Sequence, residues 1–250
     1  MHKYKPALRF TLSLLPITTA AGYFTVKYQL PMLDPQMIET AVQQVGSLRA
    51  LIGITVLQTV LYAAVCGFFG YILSSKIGLI RPFGFRKANV LRTLAASVIF
   101  GILFSLDPWV FGKALPEIRT ADAAGLTSEG WLAGLLYGGI VEELMLRLFF
   151  MSLIVLLLWK IFLRKQQNAP AGSIIAGNFI AALLFAAGHL PATAGFFGTL
   201  TPILLLRCFL LNGSAGMLFG RLYRKYGIQY AMLSHALFHI VTKTVWTLFL

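Results

Sequence analysis

Charge is scarce in this sequence, and acidic charge is the scarcest. Only 12% of its 250 residues are Asp, Glu, Lys or Arg, and just 8 residues are acidic. Soluble domains carry about 25% charged residues, so this composition excludes an ordinary soluble globular domain. With 58% hydrophobic residues and a mean hydropathy of +0.79, the chain instead has the composition of a membrane-embedded protein.

Cysteine is also nearly absent, and so are the marks of several other protein classes. Cys66 and Cys208 both lie in apolar runs, which provides neither a disulfide framework nor a cysteine-based zinc motif. The sequence contains no internal repeat, no low-complexity segment and no glycine-rich phosphate loop. These absences exclude repeat arrays and phosphate-loop nucleotide-binding proteins.

Basic residues, by contrast, are in excess. The 21 Lys and Arg residues give a net charge of +13, which in a soluble protein would indicate nucleic-acid binding. Here they lie in short loops beside apolar runs. We therefore expect anionic lipid headgroups as partners and no nucleic acid.

Long apolar runs divide the chain into predicted membrane spans. Each is near or above the roughly 20 apolar residues that cross a bilayer as a helix. The runs cover residues 9–30, 50–73, 93–111, 131–158, 174–196, 202–220 and 228–249. We predict an all-α, polytopic transmembrane helical bundle of about seven spans (six to eight), forming a single membrane-embedded domain over residues 1–250.

The first run has a rival interpretation as a signal peptide, because Lys3, Lys5 and Arg9 precede it. Its apolar part is long and no cleavage site of small residues follows, so we interpret it as a retained span. Any interfacial helix in addition to the seven spans is expected within residues 31–48 or 76–92. The fourth run is too long for one straight crossing, which predicts a tilt or an extension into the interface.

The basic residues also predict the orientation of the chain. Loops on one side carry Lys3, Lys5, Arg9, Lys76, Arg81, Arg86, Lys87, Arg92, Lys160, Arg164, Lys165, Arg221, Arg224 and Lys225. The opposite loops carry Lys27, Arg49, Lys113 and Arg119, together with Asp34, Glu39, Glu117, Asp122 and Glu129. The positive-inside rule places the N-terminus in the cytoplasm and, with seven spans, the C-terminus outside. We expect a multi-pass protein of a bacterial plasma membrane.

Six ionisable residues, besides Arg207 and Lys243, are of interest inside apolar runs of the second half of the chain. Ionisable groups at membrane depth usually face a protein interior or a watery cavity, and they mark functional sites. The six are Glu142, Glu143, Arg147, His189, His235 and His239. We predict that they form an active or binding site.

Helical spacing suggests how these groups pair. Glu143 and Arg147 are four residues apart, which predicts an ion pair on one helix face. Glu142 points about 100° away from Glu143 in an α-helix, so it does not share the helix face of Arg147 and is left unpaired. His235 and His239 share a face. A purely structural role for the Glu143–Arg147 pair is the alternative, but it does not explain an unpaired Glu142.

Three motifs in this region resemble those of the CAAX prenyl protease and bacteriocin-processing (CPBP) intramembrane proteases. They occur in the family's order, each in a different apolar run. The matching residues are Glu142-Glu143-Leu-Met-Leu-Arg147 for EExxxR, Phe185-Ala-Ala-Gly-His189 for FxxxH, and His235 for the start of HxxxN or HxxxD. The resemblance covers about residues 132–240, the predicted motif-bearing protease-like core.

The resemblance implies an intramembrane endopeptidase whose active-site cavity lies among the last four spans. Its substrates would be peptides or membrane-associated or lipidated proteins that enter from the bilayer. Glu142 would be the general base, acting on a water molecule together with His189. Glu143 and Arg147 would be the supporting pair.

Position 239 departs from the family pattern, which usually has Asn or Asp there. The resemblance implies that His235 and the residue at 239 hold the oxyanion, and a histidine can also donate an N–H. The favoured mechanism requires no cofactor. As an alternative, Glu142, His189, His235 and His239 form a plausible zinc-ligand set, which would make the protein a metalloprotease.

Two other functions stay open at this stage. A non-hydrolytic member of the same fold would act as a membrane scaffold or immunity protein. A small proton-coupled transporter would use Glu142 and the histidines as a relay, although the chain lacks the duplicated halves typical of transporters. Arg207 and Lys243 also lie in or near spans: Lys243 is expected to snorkel to an interface, and Arg207 to meet Glu142 or a lipid phosphate.

Overall fold

The computed structural model describes residues 4–250, so Lys3 of the predicted cytoplasmic end lies outside the described residues. Within that range the chain is helical and contains no strand, which confirms the predicted all-α class. The helices are α1 (Lys5–Gln29), α2 (Pro35–Val45), α3 (Leu48–Lys76), α4 (Lys87–Ser105), α5 (Asp107–Val110), α6 (Ile118–Ala124), α7 (Ser128–Phe162), α8 (Ala171–Gly188), α9 (Leu190–Phe197), α10 (Pro202–Tyr226) and α11 (Ile228–Phe249).

Local sequence explains several helix boundaries. The side chains of Asp34, Ser47 and Thr201 each accept a backbone N–H from the first turn of the helix that follows. Such caps satisfy donors that have no partner within the helix. Gly46 and Gly227 have φ of 89° and 112°, a backbone conformation that favours glycine. They end α2 and separate α10 from α11.

Among residues 4–250, five helical segments are long and apolar enough to cross a membrane. These are Leu48–Lys76, Lys87–Val110, Ser128–Phe162, Ala171–Phe197 and Pro202–Tyr226. They correspond to the second to sixth predicted spans. The helices α1 and α11 lie where the first and seventh spans were predicted, but they do not reach the same apolar character, so crossing by these two stays a prediction.

The two segments in which an interfacial helix was expected differ in secondary structure. Residues 31–48 contain α2, a short helix with no buried residue. Residues 77–86 are not helical, and they expose Phe83 and Phe85 beside Arg81 and Arg86.

The middle of α7 is wound as a π-helix, over Gly134–Glu142 and Leu144–Met151. A π-helix has i→i+5 hydrogen bonds and is frequent at functional sites. The angle of 100° between Glu142 and Glu143 predicted from α-helical winding therefore does not apply to this segment. The wider winding is a structural feature that the length of the apolar run did not reveal.

The helices pack as three main pairs around α7. The pairs are α1 with α3, α4 with α11, and α8 with α10, and α7 contacts α1, α3, α8 and α11. The central helix supplies Leu144, Leu148 and Met151 to the buried core, where they meet Phe219 of α10. This central position places the ionisable residues of α7 inside the bundle.

Hydroxyl groups connect helices within the apolar interior. The Tyr223 hydroxyl of α10 bonds to Ser74 of α3 and lies 3.0 Å from Ser152 Oγ of α7. Ser97 of α4 and Ser234 of α11 are joined by a bond of 2.8 Å. Buried hydroxyls need such partners because unpaired polar groups are costly in an apolar environment.

Candidate active site

One cavity of about 490 Å³ brings four of the six predicted site residues together. Glu142, His189, His235 and His239 all line it. It lies between α7, α8 and α11 and extends toward α1 and α6. Its wall combines these polar groups with aromatic and aliphatic side chains, an arrangement typical of ligand sites.

The two adjacent glutamates have different surroundings. Glu143 is fully buried, and its Oε1 lies 3.2 Å from Arg147 Nη1 and 2.9 Å from His235 Nδ1. Glu142 keeps 20% of its side chain exposed and faces the cavity, with its Oε2 3.8 Å from His235 Nε2. One carboxylate is therefore neutralised inside the protein, and the other remains available to a ligand.

His235 lies between these glutamates. Since a carboxylate accepts hydrogen bonds, the short contact with Glu143 requires the proton on Nδ1, and Nε2 is the nitrogen that faces Glu142. The ring stacks on Phe219 at 4.3 Å between centroids. Only one nitrogen of His235 is therefore free for a substrate, a restriction that motif spacing alone did not reveal.

Arg147 is buried behind the cavity, against two aromatic rings. Its Cζ lies 4.5 Å from the centroid of Phe185 and 5.4 Å from that of Phe219. A Cβ at Gly216 would stand 3.0 Å from Nη2, so this glycine leaves room for the guanidinium. Cation–π contacts and the charge of Glu143 together stabilise Arg147 where water does not reach it.

His189 caps the C-terminal end of α8. Its Nδ1 lies 2.8 Å from the carbonyl oxygen of Phe185, which can only accept, so Nδ1 donates. In the neutral ring Nε2 then carries a lone pair. The Phe185 ring meets His189 edge-on at 4.7 Å and His235 at 5.7 Å between ring centroids.

His239 packs flat on His235 and against α7. The two imidazole rings stack at 5.0 Å with 18° between their planes. A Cβ at Gly138 would lie 2.7 Å from His239 Nε2, and one at Gly134 would lie 3.0 Å from its Cγ. The spacing Gly134–Gly138 is a GxxxG pattern, which allows close helix approach in membranes. That pattern is the sequence signal that would have identified both glycines as site residues.

The four proposed zinc ligands are not arranged as a metal site. Across residues 4–250, no three His, Cys, Asp or Glu side chains come close enough to share a metal ion. The donor set as positioned does not fit the tetrahedral coordination of zinc.

A second charged cluster contains Asp107, Asp122, Arg207 and Lys243. It contradicts the expectations for Arg207 and Lys243. Arg207 Nε donates to both carboxylate oxygens of Asp107, at 2.9 and 3.0 Å, and Nη2 lies 3.7 Å from Asp122 Oδ1. Arg207 thus meets neither Glu142 nor a lipid phosphate. Lys243 is 6% exposed and donates to the Gly125 carbonyl, so the prediction that it snorkels to an interface was wrong.

Asp122 belongs to this cluster and lies in the loop region between two spans. Burial and, second, the charge of Asp107 raise the pKa of Asp122 to about 7, although Arg207 and Lys243 act in the opposite direction. Its Oδ2 is buried without a hydrogen-bond partner among the residues described. Asp122 and Lys243 both line the cavity that contains Glu142.

Comparison with known protein families matches the second half of the chain. Residues 126–241 match the family model described as type II CAAX prenyl endopeptidase Rce1-like, a range close to the core predicted from the motifs. No curated protein and no solved structure matched the chain. With its long apolar helices, the chain is an integral membrane protein.

Proposed function

We propose a specific reaction for this chain, which belongs through residues 126–241 to the CAAX-type (CPBP) family of intramembrane endopeptidases. In this reaction, Glu142 activates a water molecule that hydrolyses a peptide bond inside the membrane. The substrates are peptides or membrane-associated proteins, lipidated or not, that enter from the bilayer. The supporting observation is that Glu142, unlike its buried neighbour Glu143, faces a cavity that also contains three histidines.

The first step is attack by water. Glu142 takes one proton from a water molecule that His189 Nε2 orients by accepting the other O–H, and the oxygen adds to the carbonyl carbon of the substrate. The carbonyl π electrons move to its oxygen. Glu142 then gives the proton to the leaving nitrogen as the C–N bond breaks, so the carboxylate is regenerated. Glu142 suits this role because it faces the cavity, whereas Glu143 is held by Arg147 and His235.

His235 and His239 stabilise the oxyanion in this proposal. A protonated His235 would balance the second glutamate, since Glu142 and Glu143 otherwise share the single charge of Arg147. It would then present Nε2–H toward the cavity, and the neutral His239 would add one N–H. Donors held in place in a water-poor site stabilise a developing negative charge strongly.

Glu143 and Arg147 act through His235 rather than on the substrate. Glu143 holds Nδ1 of His235 at 2.9 Å, and Arg147 in turn neutralises Glu143. This arrangement directs Nε2 of His235 toward Glu142. Both are positioning residues, because neither lines the cavity.

The test is cleavage of peptides by purified protein in lipid nanodiscs, followed by mass spectrometry. A mixture of prenylated and unmodified peptides is incubated with wild type, with Glu142→Gln and with the surface control Lys165→Met. We expect new peptide termini with wild type and Lys165→Met and none with Glu142→Gln. Cleavage that persists in Glu142→Gln would contradict the glutamate mechanism.

A non-hydrolytic scaffold or immunity protein is the second candidate. The observation that favours it is His239, which stands where the family usually has Asn or Asp and fills the space beside Gly138. Such a protein would keep the buried polar network for stability. In the same assay, wild type would then cleave no peptide in the mixture.

The surroundings of the enzyme are also part of the proposal. We infer that the exposed Phe83 and Phe85, with Arg81 and Arg86, contact anionic lipid at the cytoplasmic surface, with the N-terminus on that side. Aromatic rings and basic side chains together favour the headgroup region of an anionic leaflet.

A further inference from the structure

The α10 wall of the Glu142 cavity carries a polar side chain that the proposed reaction does not use. Of the residues that α10 places in this wall, Ala215 and Phe219 are apolar and Asn212 is polar. The three are spaced as i, i+3 and i+7, so they share one helix face. The ring of Phe219 stacks on that of His235. The face that carries Asn212 is therefore directed at the site.

Asn212 lies beside the end of α8 that carries His189. Its Nδ2 is 3.6 Å from Cys208 Sγ, and that thiol lies 3.1 Å from the carbonyl oxygen of Ala186. The backbone N–H of His189 bonds to the same oxygen, at 3.1 Å. The amide of Asn212 and the imidazole of His189 therefore belong to neighbouring parts of the cavity wall.

Asn178 provides a comparison, because it is an asparagine with a structural role in the same bundle. It is buried in α8 away from the cavity, and its Nδ2 donates to the carbonyl of Met217 in α10 at 3.1 Å. Such bonds between helices are typical of asparagine in membrane proteins. Among residues 4–250, the one partner of the Asn212 amide is Cys208 of its own helix, and sulfur is a weak acceptor. Asn212 therefore contributes little to helix packing.

The remaining hydrogen-bonding capacity of Asn212 is open to the cavity. Oδ1 and the second N–H have no partner in the part of the chain that the structure describes, and they are not among the polar atoms enclosed by protein. A side-chain amide offers an acceptor and donors, as a peptide group does. The backbone groups of a membrane-spanning helix are bonded within that helix. Only an unwound stretch of a substrate therefore presents a free peptide group to Asn212.

We propose that Asn212 is a substrate-binding residue, whose side-chain amide pairs with one peptide group of the substrate backbone next to His189. This inference rests on the proposed function and adds a residue to the same cavity. Glu142 and His189 act on the water, whereas Asn212 acts on the substrate. Because the pairing uses the backbone, it selects for a segment without helical hydrogen bonds rather than for a particular side chain.

Backbone esters test this pairing, because an ester has no N–H and a weaker carbonyl acceptor than an amide. A fluorescent peptide that wild type cleaves in the assay above, or the most tightly bound one if none is cleaved, is made with each amide in turn replaced by an ester. Binding in nanodiscs is measured with Glu142→Gln, where no turnover occurs, alone and combined with Asn212→Leu, which has a similar size and no polar atoms. Asn178→Ala in the same background is the matched control outside the cavity.

We expect Asn212→Leu to weaken binding of the all-amide peptide about fivefold or more, as for a hydrogen bond lost in an apolar site. One ester should bind Glu142→Gln more weakly by a similar factor, and Asn212→Leu should not weaken its binding further. For the other esters the two changes should multiply, as for independent sites. Asn178→Ala should lower the thermal midpoint without distinguishing among the peptides.

Independent effects at every ester position would overturn the inference, since that pattern indicates a structural role for Asn212. An all-amide peptide that binds equally well with and without Asn212→Leu would overturn it as well, and so would failure of every peptide to bind. Asn212→Ala removes atoms without adding any, and it is measured in parallel in case the leucine variant does not fold. Absence of cleavage by wild type would contradict the proposed function alone, because the binding experiment still decides on Asn212.

Discussion

Oε1 of Glu143 lies 2.9 Å from Nδ1 of His235, although 92 positions separate the two residues in the sequence. The same oxygen faces Arg147 at 3.2 Å. One buried carboxylate therefore connects the charge inside α7 to the histidine of α11. This contact distinguishes the roles of the two adjacent glutamates and leads to the first prediction.

Glu143→Gln and Glu142→Gln should have different effects. The first removes the charge opposite Arg147 and should lower the free energy of unfolding by about 3–5 kcal/mol, as for a broken buried pair, with activity falling as well. The second should abolish activity and leave the thermal midpoint close to that of wild type. Melting curves in detergent and peptide cleavage measure the two effects, and the exposed Glu39→Gln is the control. Identical behaviour of both variants in both assays would contradict the assigned roles.

Gly138→Ala should disturb His239 specifically. The added methyl group would stand 2.7 Å from Nε2, so the ring must move, and we expect activity to fall by about tenfold or more, since small displacements at a catalytic site are costly. In the background of His239→Asn, whose side chain is smaller, the same methyl group should have a much weaker effect. A double-mutant cycle on cleavage rates measures this coupling, and additive effects would exclude it.

His239→Asn distinguishes the three functional hypotheses. If His239 is an oxyanion donor, the variant should keep substantial activity, because Asn also provides N–H donors. If it is a zinc ligand, metal content and activity should fall together. If the protein is a scaffold, wild type should cleave nothing. Metal analysis and peptide cleavage are measured on the same preparations, and we expect activity without stoichiometric metal.

Asp122 should make stability depend on pH. Its folded-state pKa is about 7, raised from 3.8, so the folded protein binds more protons than the unfolded chain between these values. The free energy of unfolding should therefore decrease as pH rises from about 4 to about 7. Asp122→Asn should show less of this decrease and should be more stable than wild type at pH 8. Melting curves of wild type and Asp122→Asn at several pH values measure this pH dependence. A wild-type stability that rises with pH over this range, relative to that of Asp122→Asn, would contradict the prediction.

Cysteine labelling with a membrane-impermeant reagent should report the orientation. Single cysteines at Lys165 and Arg224 are expected on the cytoplasmic side, and one at the exposed Thr120 on the other. Asp122 itself is buried and unsuitable for labelling. The native Cys66 and Cys208 are buried as well, which keeps the background low. Labelling of positions 120 and 165 from the same side would mean that α7 does not cross.

The apolar runs and the motif spacing predicted the helical class and four of the residues that line the cavity, because both depend on local sequence. They did not predict the partners of Arg207 and Lys243, since contacts between distant helices depend on how each helix is rotated in the bundle. Phe219 was not predicted as a site residue, although its ring contacts both Arg147 and His235. A phenylalanine in an apolar span has no local signal that separates such a position from one facing lipid.

The hydroxyl of Tyr223, bonded to Ser74 and Ser152, has a consequence for how the bundle assembles. Aliphatic side chains tolerate sliding of one helix along another, because one methyl group replaces its neighbour at little cost. Hydroxyl groups do not, since a slip of one turn would leave the hydroxyls of Tyr223 and Ser74 without partners where water is absent. This junction therefore sets the axial register of α3, α7 and α10, and with it the depth at which Glu142 and Glu143 lie in the membrane.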